Sequence, residues 1–405
     1  MKSVGNWERL GMKFKTYTME DALEAIIDYR GKTPKKSDSG IPTLSAKSVK
    51  SNHIDYSLCY YISPDEYKRF MVRGFPKIGD VLLTTEAPMG VVARLDRDDI
   101  AVAQRLLTLR GKENVLDNEY LLYFLQSSSG QSLLKARETG TTVTGIKQAE
   151  FRKIQINVPE ISIQKKIGRF LRALDEKIEI NSKINENLEQ QAQAYFDKLF
   201  VANADPNWPE CTLSDVGSIV AGGTPSKSKV EYYADHGIAW ITPKDLSVDK
   251  SKFISHGEND ISELGLTKSS ATKMPVGTVL FSSRAPIGYI AIAQNEVTTN
   301  QGFKSVIPNE NIGTAYVYFL LKNLLPTIEG MASGSTFKEI SGAGMKSVPT
   351  FMPDTDTIQL FRSFCEPLFK EQEVLEAENK HLSALRDSLL PKLMSGEINI
   401  SNLDL

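Results

Sequence analysis

Residues Val158–Phe200 read VPEISIQKKIGRFLRALDEKIEINSKINENLEQQAQAYFDKLF. Steps of four and three residues, taken alternately, reach Ile167, Leu171, Leu174, Ile178, Asn181, Asn185, Leu188, Ala192, Tyr195 and Leu199. Eight of these ten are apolar or aromatic, and the residues between them are mostly charged or amide. That 3.5-residue period is the seam of a coiled coil on one long helix. Pro159 precedes it and Ser162 is expected to cap its start. A helix of about 38 residues rises roughly 57 Å at 1.5 Å per residue. No ordinary globular domain needs such a rod, so it must hold things apart or bind another helix.

A second rod is expected from about Thr357 to Leu393. Its seam reads Phe361, Phe364, Leu368, Glu371, Leu375, Glu378, Leu382, Leu385, Leu389 and Lys392, seven of ten apolar. Polar residues interrupt each seam near its middle: Asn181 and Asn185 in one, Glu371 and Glu378 in the other. Such interruptions set register at some cost in stability. The two rods are expected to pack on each other, antiparallel. The plainer alternative is that each is one helix of an ordinary bundle, but a domain-sized segment precedes each.

Those two segments read alike. TMEDA (Thr18–Ala22) answers TLSDV (Thr212–Val216), and GKTPKK (Gly31–Lys36) answers GGTPSKSK (Gly222–Lys229). KIGDVLLTTEAPMGVVA (Lys77–Ala93) answers PVGTVLFSSRAPIGYIA (Pro275–Ala291). Gln104 answers Gln301, and TGTTVTGIK (Thr139–Lys147) answers SGSTFKEIS (Ser333–Ser341). So steady an offset over so many blocks is a tandem duplication with small loop insertions. VLLTT, VVARL, VLFSS and YIAIA are short β-branched runs bounded by Gly and Pro, hence strands. LLYFLQSSSGQSLLKA reads as helices broken at Ser-Ser-Gly. The fold class is therefore α+β: two similar domains, residues 1–157 and 206–353, each followed by a rod, residues 158–205 and 354–405.

Composition is that of soluble globular protein, with 41% hydrophobic and 24% charged residues. Cys59, Cys211 and Cys365 are odd in number and far apart, which argues for a reducing compartment. With no long apolar run, the expected location is the cytoplasm. Net charge is −2, but unevenly spread. Residues 1–157 hold 24 Lys and Arg against 19 Asp and Glu, a net of +5; residues 354–405 hold 5 against 10.

There is no GxxxxGK[ST] and no glycine-rich turn after a strand, so no phosphate-binding loop or dinucleotide pocket is expected. There is also no Asp/Asn-Pro-Pro-aromatic tetrapeptide. His53, His236, His256 and His381 have no counterparts in the other repeat, so neither a catalytic nor a metal histidine is expected. Asp80 and Glu86 resemble a nuclease acidic pair, but Thr278 and Arg284 take their places in the second repeat.

The repeated polar loops are the candidates for nucleic-acid contact. Lys32, Thr33, Lys35 and Lys36, with Thr224, Ser226, Lys227 and Lys229, offer the hydroxyls and ammonium groups that reach phosphate oxygens. Gly222 and Gly223 add backbone amides. Thr84, Thr85 and Glu86 match Ser282, Ser283 and Arg284; a carboxylate accepts from cytosine and a guanidinium forks onto guanine, so the two repeats would read different bases. Thr141, Thr142 and Lys147, with Ser335, Thr336 and Lys338, complete the set. Solvated turns are the competing reading, since these residue types dominate surface loops.

Two further stretches carry a resemblance. One runs from Gly140-Thr-Thr through Phe151-Arg-Lys-Ile-Gln-Ile-Asn-Val-Pro to Ile163-Gln164 and Leu174-Asp175-Glu-Lys-Ile. The other is Leu385-Arg386-Asp387-Ser-Leu-Leu390-Pro391-Lys392-Leu393-Met-Ser395-Gly396-Glu397-Ile398. Both resemble type I restriction–modification specificity subunits, over essentially the whole chain. One departure is that the first repeat ends Tyr195-Phe196-Asp-Lys-Leu199-Phe200 instead of Leu-Pro-Lys-Leu. The resemblance implies a non-catalytic reader of double-stranded DNA, each domain reading half of a bipartite site around an unread spacer. It implies that the helices dock two modification subunits, which hold S-adenosylmethionine and methylate adenine. Restriction subunits using ATP and Mg would join them, leaving this chain without a cofactor. The competing classes are a coiled-coil scaffold with two protein-binding heads, and a self-contained DNA methyltransferase or nuclease.

Overall fold

The computed structural model describes residues 13–140, 144–334 and 338–400. The chain forms two compact units, residues 1–179 with 380–405, and residues 180–379.

In the first unit the apolar runs become strands in the order Leu23–Asp28, Leu106–Gly111, Val81–Thr84, Val92–Arg94, all antiparallel. A second sheet runs Ala101–Val102, Ile41–Leu44, Tyr60–Ile62, Lys36–Ser37, its first pair parallel. Phe14–Thr18 pairs with Gln155–Pro159 and closes the domain. Helices Asn118–Gln126 and Ser128–Lys135 break where Ser-Ser-Gly predicts, with Ser127 capping the second through Gly130 N.

The second unit repeats this plan. Its main sheet runs Gly217–Ala221, Lys304–Pro308, Val279–Ser283, Ile287–Ala293, Phe253–Ile254. Its second sheet runs Tyr233–Ala234, Asn259–Ile261, Ile238–Ile241, Thr298–Thr299, and Glu210–Thr212 pairs with Pro349–Phe351. The duplication read from the sequence is thus a duplication of fold.

The two rods are helices Ile161–Asp197 and Thr355–Met394. The first begins one residue before Ser162, and the amides of Ile163 and Gln164 donate to Glu160 O at 2.9 and 3.1 Å. Ser162 is therefore an exposed first-turn residue, not the cap. Asp354 caps the other helix, accepting from Thr357 N at 2.8 Å; this hydrogen bond holds its carboxyl below the usual range.

Each helix begins in the core of one domain and ends in the core of the other. Ile167 and Leu171 lie in the first unit's core, whereas Ala192 and Phe196 lie in the second's. Conversely, Phe361 and Cys365 are buried in the second, and Leu390, Leu393 and Met394 in the first. The first repeat's departure from Leu-Pro-Lys-Leu is thus a change of residue type with the docking role kept: Phe196, Leu199 and Phe200 stand in for Leu390, Leu393 and Met394. The compact units therefore cut across the linear segments of domain and rod.

Within the second unit the helices run antiparallel. Tyr195 meets Phe361 and Phe364 at 6.1 and 4.4 Å between rings, Gln372 Nε2 donates to Asn185 O at 3.0 Å, and Asn181 Nδ2 donates to Glu378 Oε2 and Asn379 Oδ1 at 2.7 and 2.9 Å. All ten positions of the first seam are buried or half-buried. Leu171, Leu174, Ile178, Leu188 and Tyr195 keep their assigned places. The second seam needs correction: Phe364, Glu371 and Lys392 are exposed, while Cys365 and Gln372 are buried. This helix must face both a domain and a helix, so its buried stripe is wider than a two-per-heptad seam. Leu375 is buried, and Leu368, Leu382, Leu385 and Leu389 are half-buried as expected.

In the first unit, Arg386 Nη1 meets Asp175 Oδ1 at 2.7 Å, and Tyr123 OH donates to Asp175 Oδ2 at 2.6 Å. The burial of Tyr123, beside the Asp175 charge, pushes its hydroxyl well above the usual value. Gln164 is 1% exposed. Its carbonyl accepts from Asp117 N at 3.0 Å and its amide donates to Val115 O and Pro159 O, both at 2.9 Å. Its repeat counterpart Gln359 is exposed, its amide donating to Ser363 Oγ at 3.3 Å on the same helix. Gln164→Ala should therefore cost about 1–3 kcal/mol by leaving buried groups unpaired, and Gln359→Ala no more than about 0.5. Hydrogen exchange of the amides in 115–126 and 161–171 measures it; equal protection in both variants would refute the asymmetry.

Candidate nucleic-acid interface

The same turn stands at the centre of both domains. Strands Val81–Thr84 and Val279–Ser283 run into Ala-Pro-x-Gly, and both Ala–Pro bonds, Ala87–Pro88 and Ala285–Pro286, are cis. Thr84 Oγ1 donates to Pro88 O at 2.7 Å and accepts from Val91 N at 2.9 Å. Ser282 Oγ does the same with Pro286 O and Tyr289 N, at 2.8 and 2.7 Å. The next residue is bonded on both flanks. Thr85 N donates to Arg105 O and Ile146 N donates to Thr85 O; Ser283 N donates to Gly302 O and Ile340 N donates to Ser283 O. These bonds identify Arg105 with Gly302, and Gly145 with Glu339, as equivalent positions.

Thr84, Thr85, Ser282 and Ser283 are at most 3% exposed. Their placement as contact residues is corrected: they build the turn from beneath. Burial asks a hydroxyl to be paired: Thr84, Ser282 and Ser283 donate to Pro88 O, Pro286 O and Gly302 O, whereas Thr85 Oγ1 is buried with no hydrogen bond among the described residues. The side chain that emerges is the next one, Glu86 or Arg284.

Each emerging side chain is ion-paired, and the two domains exchange the signs. Glu86 Oε1 meets Arg105 Nε at 3.0 Å. Arg284 Nη1 meets Glu339 Oε2 at 3.3 Å, with Lys304 Nζ at 3.6 Å from Glu339 Oε1. The partner comes from a different flanking loop each time, and the other domain carries glycine there.

Around Glu86 the first domain is basic. Arg30 and Lys147 line one depression with Glu86. Thr33, Lys36, Lys47, Tyr60, Gln104 and Arg105 line the next, and Lys36 Nζ sits 4.8 Å from the centre of the Tyr60 ring. Lys32 and Lys35 are exposed on the same loop, whose Lys35 N is tied to Glu66 Oε1 at 2.8 Å. That amide hydrogen bond, with Arg69, keeps the Glu66 carboxyl below its usual range.

In the second domain Ser226, Lys227 and Lys229 are exposed and Thr224 is bonded to Gln301. The amides of Gly222 and Gly223 donate to Phe303 O and Thr299 O and are not offered to a ligand. A Cβ on Gly222 would lie 1.9 Å from Asn300 O, so glycine is needed for close packing there. Lys338 is exposed beside Glu339. Thr141, Thr142, Ser335 and Thr336 lie outside the described residues.

Sequence reasoning missed Arg30, Lys47, Tyr60, Arg105 and Glu339. The signal for two of them was present. Aligning Gln104 with Gln301 sets Arg105 against Gly302, and aligning Thr139–Lys147 with Ser333–Ser341 sets Gly145 against Glu339. Among the described residues no group of His, Cys, Asp and Glu could hold a metal ion. No helix there is long and apolar enough to cross a membrane.

The family model described as "Type I restriction modification DNA specificity domain" matches residues 13–190 and 206–381. The MjaIX specificity subunit of Methanocaldococcus jannaschii is 35% identical over 190 residues, 45% of this chain and 44% of that protein. The HindI specificity subunit of Haemophilus influenzae is 24% identical over 402 residues, 80% of this chain and 87% of that one. The S subunit of a type I restriction–modification system from M. genitalium shares the fold, with a TM-score of 0.61 at 18% identity over 97% of this chain and 98% of that one. With both domains matched and the duplicated fold in place, the chain belongs to the type I restriction–modification specificity subunits, the family that recognises DNA targets.

Proposed function

We propose that each domain reads one half of a bipartite DNA site around an unread spacer, and that the chain itself performs no chemistry. Two modification subunits dock on its helices and bring S-adenosylmethionine for methylation. Restriction subunits bring ATP- and Mg-dependent cleavage. The cytoplasm, where its DNA lies, is the place for such a complex.

One observation carries this reading. The same turn, held by the same hydrogen bonds, is surrounded by different charged side chains in the two domains. A scaffold kept constant while its exposed charges change is what two readers of different sequences require. The +5 charge of residues 1–157 supplies the non-specific attraction to phosphate.

The test exchanges residues 206–353 for the second domain of another specificity subunit and sequences the methylated bases of cells that also express the modification subunit. One half of the methylated motif should change and the other should stay. Both halves changed, or neither, would refute the division of labour. Methylation by the purified chain alone, at the rate of the complex, would refute the absence of chemistry.

A further inference from the structure

We infer that the Glu86–Arg105 and Arg284–Glu339 pairs are each a composite reader of one G·C base pair, the guanidinium taking the guanine and the carboxylate the paired cytosine. This rests on the reading of the chain as a two-domain DNA reader.

The chemistry follows from what the pair presents. Guanine offers two acceptors, O6 and N7, to the major groove, and its partner cytosine offers the N4 amino donor. An arginine beside a carboxylate offers the complement: a donor fork next to an acceptor. The Glu86 contact uses only Arg105 Nε, and the Glu339 contact only Arg284 Nη1. Among the described residues neither guanidinium has another hydrogen bond, so donor edges remain for a base. The side chains are accessible, Arg105 at 52% and Glu86 at 26%, Arg284 at 36% and Glu339 at 37%.

The surroundings fit contact with DNA better than a purely structural bridge. Glu86 and Arg105 line adjoining depressions whose other charged side chains are Arg30, Lys36, Lys47 and Lys147. A bare carboxylate there would repel phosphate; a paired one is neutral at long range and still accepts at short range. The reciprocal glycines argue further. Arg105 is the repeat equivalent of Gly302 and Glu339 that of Gly145, so each domain keeps a Glu–Arg pair at the turn but builds it from the opposite flank, with Lys304 as a second cation on Glu339 at 3.6 Å. A bridge needed only to tie loops together has no reason to change flank. A reader whose register on the bases differs between half-sites does.

The experiment is methylome sequencing with the modification subunit coexpressed. Arg284→Ala and Glu339→Gln should relax one G·C position in one half-site, and Arg105→Ala and Glu86→Gln one position in the other. The loss of discrimination should be about five- to 150-fold. The double exchange Glu86→Arg with Arg105→Glu should turn G·C into C·G at that position. If an alanine variant abolishes methylation altogether, Arg284→Lys or Arg105→Lys decides, because lysine keeps the charge without the planar fork. A relaxed position supports the assignment. An unchanged motif in the lysine variant, or in any variant that still methylates, overturns it. If the domain exchange above alters one half-site while these variants alter none, the inference alone fails; if the exchange also alters none, the two-domain reading fails with it.

Discussion

Lys252→Met should destabilise the second unit by about 3 kcal/mol, the lower end of what removing one partner of a buried ion pair costs. The Lys252 side chain is 6% exposed, and its Nζ lies 2.5 Å from Glu189 Oε2 on the central helix. It also donates to Gln372 Oε1 at 2.7 Å on the other helix and sits 3.7 Å from the Phe369 ring centre. Its own backbone amide and that of Phe253 are held by Glu376. One lysine therefore joins the second domain to both helices. Methionine fills a similar volume but leaves Glu189 with Lys322, at 2.6 Å, as its remaining cation, beside the Tyr318 hydroxyl. Burial pushes Glu189 up, but the two lysines outweigh it and hold its carboxyl below the usual range. A depressed carboxylate stabilises fully above its unfolded pKa, about 4.3, and its contribution is lost as the pH falls through the folded value. In Lys252→Met the acid limb of the stability profile should therefore shift to higher pH. Urea unfolding at pH 7 and across the acid limb measures both effects. Adding Glu189→Gln should recover much of the loss, since the buried charge left without Lys252 is then gone. A loss below about 1 kcal/mol, with an unmoved acid limb, would show that the network is not what seats this domain.

Phe196→Ala should cost about 3–5 kcal/mol through lost burial and the cavity it leaves. The ring is 1% exposed and lies 5.1 to 5.9 Å from the rings of Phe200, Tyr316, Phe319 and Phe361. It plugs the end of the central helix into the second domain, as Leu390 plugs the end of the other helix into the first. Phe196→Leu, which borrows the residue of that equivalent plug, should cost under about 1.5 kcal/mol. Trp208 and Trp240 both lie in the second unit, and Trp208 stands 6.0 Å from Phe200, so tryptophan fluorescence during denaturation reports on it. Equal losses in the alanine and leucine variants would mean that the site tolerates no repacking.

The sequence by itself determined the duplication, the two long helices and the four strands that flank the two Ala-Pro-x-Gly turns. Each rests on periodicity or on local punctuation, which a chain displays without being folded: a 3.5-residue stripe, a β-branched run ended by glycine or proline, a block that recurs. It also marked the turn around which the interface is built, because Ala-Pro-x-Gly stands in both halves. It named Glu86 and Arg284 as contact candidates only together with Thr84, Thr85, Ser282 and Ser283, without telling which side chain emerges. Only the tertiary structure decided what stands next to what. Thr84 and Ser282 look as exposed as Lys36 in the sequence, yet they are buried, because a strand's last hydroxyl turns toward whichever carbonyl the neighbouring loop supplies. The width of the second helix's buried stripe follows from its packing on a domain as well as on a helix, so Cys365 and Gln372 are buried, Glu371 is exposed, and Phe364 keeps its contact with Tyr195 from the rim. The ion pairs at the turn join residues 19 and 55 positions apart. No local pattern links such positions; the sheet does, by bringing both flanking loops to one strand end.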